Sequence, residues 1–131
     1  MQVKSWIMNG LNQEAIISAE QIGKELAEKR LSTSQIRAAF GEVRRLQMRG
    51  ITDSFDSSLL LLKPKLAYAQ VRKAGVDRNA AEAAGKLLEV LSQGIDGVVE
   101  SKDAQTKLHR FENFAAFFEA ILAYHRANGG K

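Results

Sequence analysis

The sequence predicts an all-α fold, a single helical bundle of about five helices within one domain spanning residues 1–131. Three observations carry that prediction. Apolar residues recur at steps of three and four, the repeat of one buried helical stripe. Capping and stopping residues punctuate those stripes. No segment alternates apolar and polar residues as a half-buried strand does, and the chain holds no internal repeat or low-complexity tract.

The first stripe is Ile16, Ala19, Ile22, Gly23 and Leu26. A second helix follows Ser32, which has the spacing of a capping box with Gln35. It carries Ile36, Phe40, Val43 and Leu46 or Gln47 inward and stops at Gly50. A third opens near Asp56-Ser57-Ser58, with Leu59, Leu62, Leu66 and Ala69 on one side, and Gly75 ends it. Pro64 falls in its middle. A proline there lacks an amide donor and clashes with the preceding turn, so a kink or fresh start is expected near Lys63.

Asp77 caps a fourth helix with Ala81, Ala84, Leu88, Leu91, Ile95 and Val98 inward. Gly94 and Gly97 weaken its end by about 1 kcal/mol each relative to alanine. The last helix has the clearest stripe: Leu108, Phe111, Phe114, Phe118, Ile121 and Leu122, closed by Gly129-Gly130. Residues 1–11 are expected as a flexible N-terminal segment.

A length of 131 residues suits one domain with a modest core, and 45% hydrophobic with 26% charged residues is ordinary globular composition. No cysteine and a single proline exclude a disulfide scaffold and any cysteine-based zinc site. Asn9 and Gly10 interrupt the early apolar run, and Glu119 breaks the late one. No secretory or membrane-spanning segment is therefore expected, and the protein is read as cytoplasmic.

The net charge of +4 conceals a polarised chain. Between Lys29 and Lys73 stand ten Lys or Arg against three acids, a local balance of +7, while the rest carries nine bases against twelve acids. Such clustering concentrates a polyanion and leaves an acidic remainder for protein partners. At 100° per residue, Arg37 and Arg44 fall within about 20° of one another beside the buried stripe of the second helix. Arg45 and Arg49 form an i, i+4 pair on its outward side. On the third helix Lys65, Tyr68 and Arg72 share one line, the ring between two cations. Cations there suit phosphates, and Tyr68 suits stacking on a base or ribose. A basic arc on one helix is ordinarily a solvated face; two successive helices with so few acids favour a polyanion surface. A helix-turn-helix is disfavoured, because Gly50 to Ser58 is long for its turn and Pro64 would distort the recognition helix.

No catalytic constellation is present. His109, Glu112 and His125 do not make the three or four converging ligands of a zinc site, and both histidines are read as helix-surface residues. Glu112 and Glu119 at i, i+7 are read as a solvated face. Phosphate-cradling glycine patterns are missing. The chain is expected to be a non-enzyme with no cofactor, no metal and no small-molecule substrate.

Two strings resemble a known family. Lys63-Pro-Lys-Leu-Ala-Tyr-Ala69, within Leu60 to Arg72, and Glu119-Ala-Ile-Leu-Ala-Tyr-His125, within the run from Phe111, together resemble the small subunit of the Csm complex, the type III-A CRISPR RNA-guided effector. Ser34-Gln-Ile-Arg37 is similar to that family too, and the resemblance spans nearly the whole chain after about Asn12. It implies a non-catalytic subunit of an antiviral complex, stacked in several copies beside the backbone subunits and near the large subunit. It further implies partners in guide RNA, target RNA, the other Csm subunits and copies of itself. By motif match Arg37, Lys63, Lys65, Tyr68 and Arg72 are the RNA-facing or supporting positions; Arg44, Arg45 and Arg49 rest on the charge reading alone. The aromatic string is read as core and subunit contact. Two other readings stay open on the residues: a helical protein–protein adaptor, and a small DNA-binding regulator.

Overall fold

A computed structural model of the chain describes residues 2–74 and 77–131, apart from the side chains of Val71, Lys73 and Ala74; the expected stop at Gly75 lies outside the described residues. Among the described residues seven helices follow one another: α1 (Val3–Asn9), α2 (Gln13–Glu28), α3 (Thr33–Arg49), α4 (Phe55–Leu60), α5 (Leu62–Ala74), α6 (Arg78–Val99) and α7 (Ala104–Ala127). Among the described residues there is no strand.

The count exceeds five for two reasons. Residues 3–9, expected to belong to a flexible segment, form α1, which buries Val3, Trp6 and Ile7 against α6 and α7. The expected third helix is two: α4 ends at Leu60, Leu61 joins it in helical conformation, and α5 begins at Leu62. Pro64 therefore sits in the first turn of α5, where the amide it lacks would have no partner within the helix.

Caps fix most other boundaries. Asn12, Ser32, Asp77 and Asp103 each accept a backbone N–H at the start of α2, α3, α6 and α7. Gly50 ends α3 at φ 79°, a left-handed value that glycine adopts without a Cβ penalty. At the end of α2, Arg30 takes φ 65°. The Arg30 and Leu31 amides donate to Ala27 O and Leu26 O, the paired bonds of a left-handed helix stop.

One core joins residues from α1 to α7. Its centre is aromatic: Phe55 meets Phe111 edge-on at 5.0 Å, Phe40 meets Phe118 at 5.2 Å, and Phe114 lies between Phe111 and Phe118. The edge-on pairs set electropositive edges on electron-rich faces. Phe111, Phe114, Phe118 and Ile121 are inside as expected. Leu108 and Ile16, expected inward, are exposed, and Ala15, Phe117, Leu87 and Val90 are buried instead. Rather than merely weakening α6, Gly94 lets the Phe114 ring in: an added Cβ would stand 2.7 Å from its Cδ1.

The most extensive packing joins α2 to α7. A Cβ at Gly23 would lie 2.7–2.8 Å from Tyr124 Cβ, His125 N and Ile121 O, so only glycine permits this approach. His125, read as a surface residue, is fully buried beside this contact, where its Nε2 donates to Leu31 O at 2.6 Å. Helix periodicity alone did not separate a wet histidine from a buried one.

Candidate nucleic-acid interface

α3 buries Ile36, Phe40, Val43 and Leu46, with Phe40 against Phe118 of α7. That anchoring leaves two free flanks. One looks toward α4 and α5 across a groove; the other borders α7.

The groove has two parts that share Glu42 and Lys65. The first is lined by Arg45, Leu46, Arg49, Ser58 and Leu61. The second, about 260 Å³, has an aliphatic floor of Ala38, Ala39, Leu62, Leu66 and Ala69, with Gln35 at one end and Arg72 on the rim. From Gln35 to Arg49 the α3 wall is roughly 20 Å long, enough for several nucleotides of a single strand. Arg45, Arg49, Lys65 and Arg72 thus line the two adjoining parts of this groove.

Glu42 is the acid among these lining residues. Its Oε1 lies 2.6 Å from Arg45 and 3.4 Å from Lys65. The Arg45 hydrogen bond is the main cause holding its carboxyl below the usual carboxylate range, against a smaller opposing effect of burial and with help from the Lys65 charge. Tyr68 stands beyond the rim, 65% exposed, with the Arg72 guanidinium over its ring at 5.8 Å. Cation and ring face solvent together, as the i, i+4 spacing implies.

Three expected residues lie elsewhere. Arg44 is on the α7 flank, where it pairs with Glu119 at 2.9 Å, bonds Gln47 and covers the Phe40 ring at 4.8 Å. Lys63 turns to α6 and pairs with Asp96 at 2.6 Å. Arg37 is exposed on the Arg44 side of α3, lining a shallow recess with Thr33, Ser34, Arg126 and Lys131. The eight positions therefore form a groove set of Arg45, Arg49, Lys65 and Arg72, with Tyr68 beside it. Arg37, Arg44 and Lys63 stand apart.

Sequence reasoning missed Gln35, Arg126 and Lys131. Gln35 was absorbed by the capping box, yet only half of that box forms. Ser32 Oγ accepts the Gln35 amide at 3.3 Å, while the Gln35 side chain makes no return bond and its Oε1 is buried without a partner. Arg126 and Lys131 come from the opposite end of the chain, so no local charge window holds them with Arg37.

The geometry defines a helical bundle with a groove lined by cations from two of its helices. A family model described as Csm2 Type III-A matches residues 11–131. The chain belongs to the Csm2 Type III-A family, and so is a small subunit of the type III-A CRISPR Csm complex, with the other Csm subunits as its partners. No curated protein and no solved structure matches it. Among the described residues no helix is long and apolar enough to cross a membrane, and no group of three or more acidic or histidine side chains is placed to hold a metal ion.

Proposed function

We propose that this subunit is a non-catalytic RNA-holding element, several copies of which stack within the Csm complex and grip guide and target RNA through sequence-independent backbone contacts in antiviral defence. The α3–α5 groove is the observation that carries the reading: four cations from two helices line one open channel, facing a single carboxylate. Specificity is left to pairing between guide and target, so phosphate and sugar contacts suffice from the protein. Glu42 is engaged with Arg45 and ionised at neutral pH, which suits charge balance and not proton transfer. Arg44 and Lys63, turned to Glu119 and Asp96, are assigned to the scaffold; Arg37 flanks the site from the far edge of α3.

The test is retention of target RNA by the assembled complex as salt is raised. Each lost phosphate contact shallows the log–log salt slope by about 0.7 for a single strand, so Lys65→Glu with Arg72→Glu is expected to shallow it by about 1.4 per copy. Retention unchanged by the double substitution refutes the proposal.

A second reading, protein–protein adaptor, is favoured by Met48, 88% exposed on the outer face of α3 between the two basic edges. Recovery of the complex after nuclease treatment at high salt, with Met48→Glu losing a subunit, would favour it.

A further inference from the structure

The groove is more than a charged track. Its floor, Ala38, Ala39, Leu62, Leu66 and Ala69, is aliphatic and built from small or branched residues, and its volume is about 260 Å³. A phosphate has no use for such a surface. A planar ring does, because stacking on apolar walls removes both faces from water.

Gln35 closes one end. It abandons the second half of the capping box that its position beside Ser32 permits, lines the groove instead, and leaves Oε1 buried without a hydrogen-bond partner. A buried acceptor without a donor is unfavourable until a ligand supplies one. On the opposite wall Lys65 and Arg72 offer cations at the rim, with the exposed Tyr68 ring beneath the Arg72 guanidinium.

We propose that the wider part of this groove receives one unstacked nucleobase of the bound RNA, held against the Ala39–Leu66–Ala69 floor, with the Gln35 amide on its polar edge and Lys65 and Arg72 on the flanking phosphates. The proposal rests on the RNA-holding reading and adds to it a seat for a base. Charge selects this occupant over an apolar peptide: a cationic rim around an aliphatic slot complements an aromatic ring carried on an anionic backbone. It also stays blind to sequence. A carboxamide turns either its donor or its acceptor toward the ligand, and every base edge presents one of the two.

The experiment uses the assembled complex and target RNAs carrying 2-aminopurine at one position at a time, reading probe fluorescence for base environment and retention for binding. Two substitutions leave every cation in place: Ala69→Leu fills the slot, and Gln35→Met, at a half-exposed site that folding tolerates, removes the polar edge. With the native chain, the probe is expected to respond at discrete positions of the target. Ala69→Leu should abolish that response, Gln35→Met should reduce it, and affinity should fall about five- to tenfold, as expected for losing one stacked base. Native retention with a probe response that neither substitution alters overturns the base seat while leaving the RNA-holding reading intact. Loss of another subunit from the Ala69→Leu complex, with the probe unaltered, also overturns it and makes the groove a peptide dock. RNA retention indifferent to Lys65→Glu with Arg72→Glu is a different failure, that of the RNA-holding reading itself.

Discussion

The α2–α7 contact and the α3–α5 groove are both built from small residues, to opposite ends. At the first, Gly23 brings two backbones together until no Cβ fits, and His125 seals the adjoining turn through Leu31 O. At the second, Ala38 and Ala39 of α3 and Ala69 of α5 line a cavity of about 260 Å³. A missing side chain is a packing device where the neighbour closes in and, on the reading proposed above, room for a ligand where cations line the rim. Burial of the neighbours, and not residue size, tells the two apart.

Four substitutions sharpen that contrast. The largest effect is expected from Gly23→Ala: its clashes are with backbone and Cβ atoms that cannot swing away, so urea denaturation should show a loss of about 1–3 kcal/mol, with RNA retention of the folded fraction unchanged. A neutral result would mean that α2 and α7 are not this close. Next, Lys63→Met removes a half-exposed pair with Asp96 and should cost up to about 1 kcal/mol of stability without changing the salt slope of RNA binding. A changed slope would return Lys63 to the RNA surface.

Glu42→Gln should act in reverse. It frees Arg45 and Lys65 from their carboxylate, so RNA binding should tighten about two- to threefold and its salt dependence steepen. The cost in stability should stay under about 0.5 kcal/mol, since the carboxyl is partly exposed and screened. Unchanged or weakened binding would show that the strand does not reach the channel.

The smallest effect is the acid limb of stability. Glu42 and Asp103 both have carboxyls held below their ordinary values, Glu42 chiefly by Arg45 and Asp103 chiefly by the Thr106 amide at the start of α7. A lowered folded value stabilises the protein fully above the unfolded value, about 4, and that contribution is lost as pH falls through the lowered one. Asp103→Asn should therefore flatten the decline of stability below about pH 4 and leave neutral pH behaviour limited to the capping loss. An acid limb identical to that of the native chain would contradict the Thr106 assignment.

What was legible in the sequence was local. Ser32, Asp77, Gly50 and the break near Pro64 mark boundaries because caps, left-handed stops and missing amides act within one turn. The aromatic stripe of α7 fixed its inward face. The docking of α1 was hidden by its shortness, although Val3, Trp6 and Ile7 have helical spacing. Site residues divide along the same line. Lys65, Tyr68 and Arg72 share a face by periodicity, whereas Arg44 and Lys63 meet acids 75 and 33 positions away, which no local window contains. The half-made capping box at Gln35 is likewise not legible from the local spacing, which fits the whole box.

The pairing of α2 with α7 also fixes when the protein can finish folding. Leu31 and His125, joined by a hydrogen bond, lie 94 positions apart. During synthesis the apolar side of α2 waits until α7 has left the ribosome before its partner exists. Nascent chains stopped ahead of Ala104 should be captured by holdase chaperones and released once residues 104–127 have emerged, a sign that α7 completes this body.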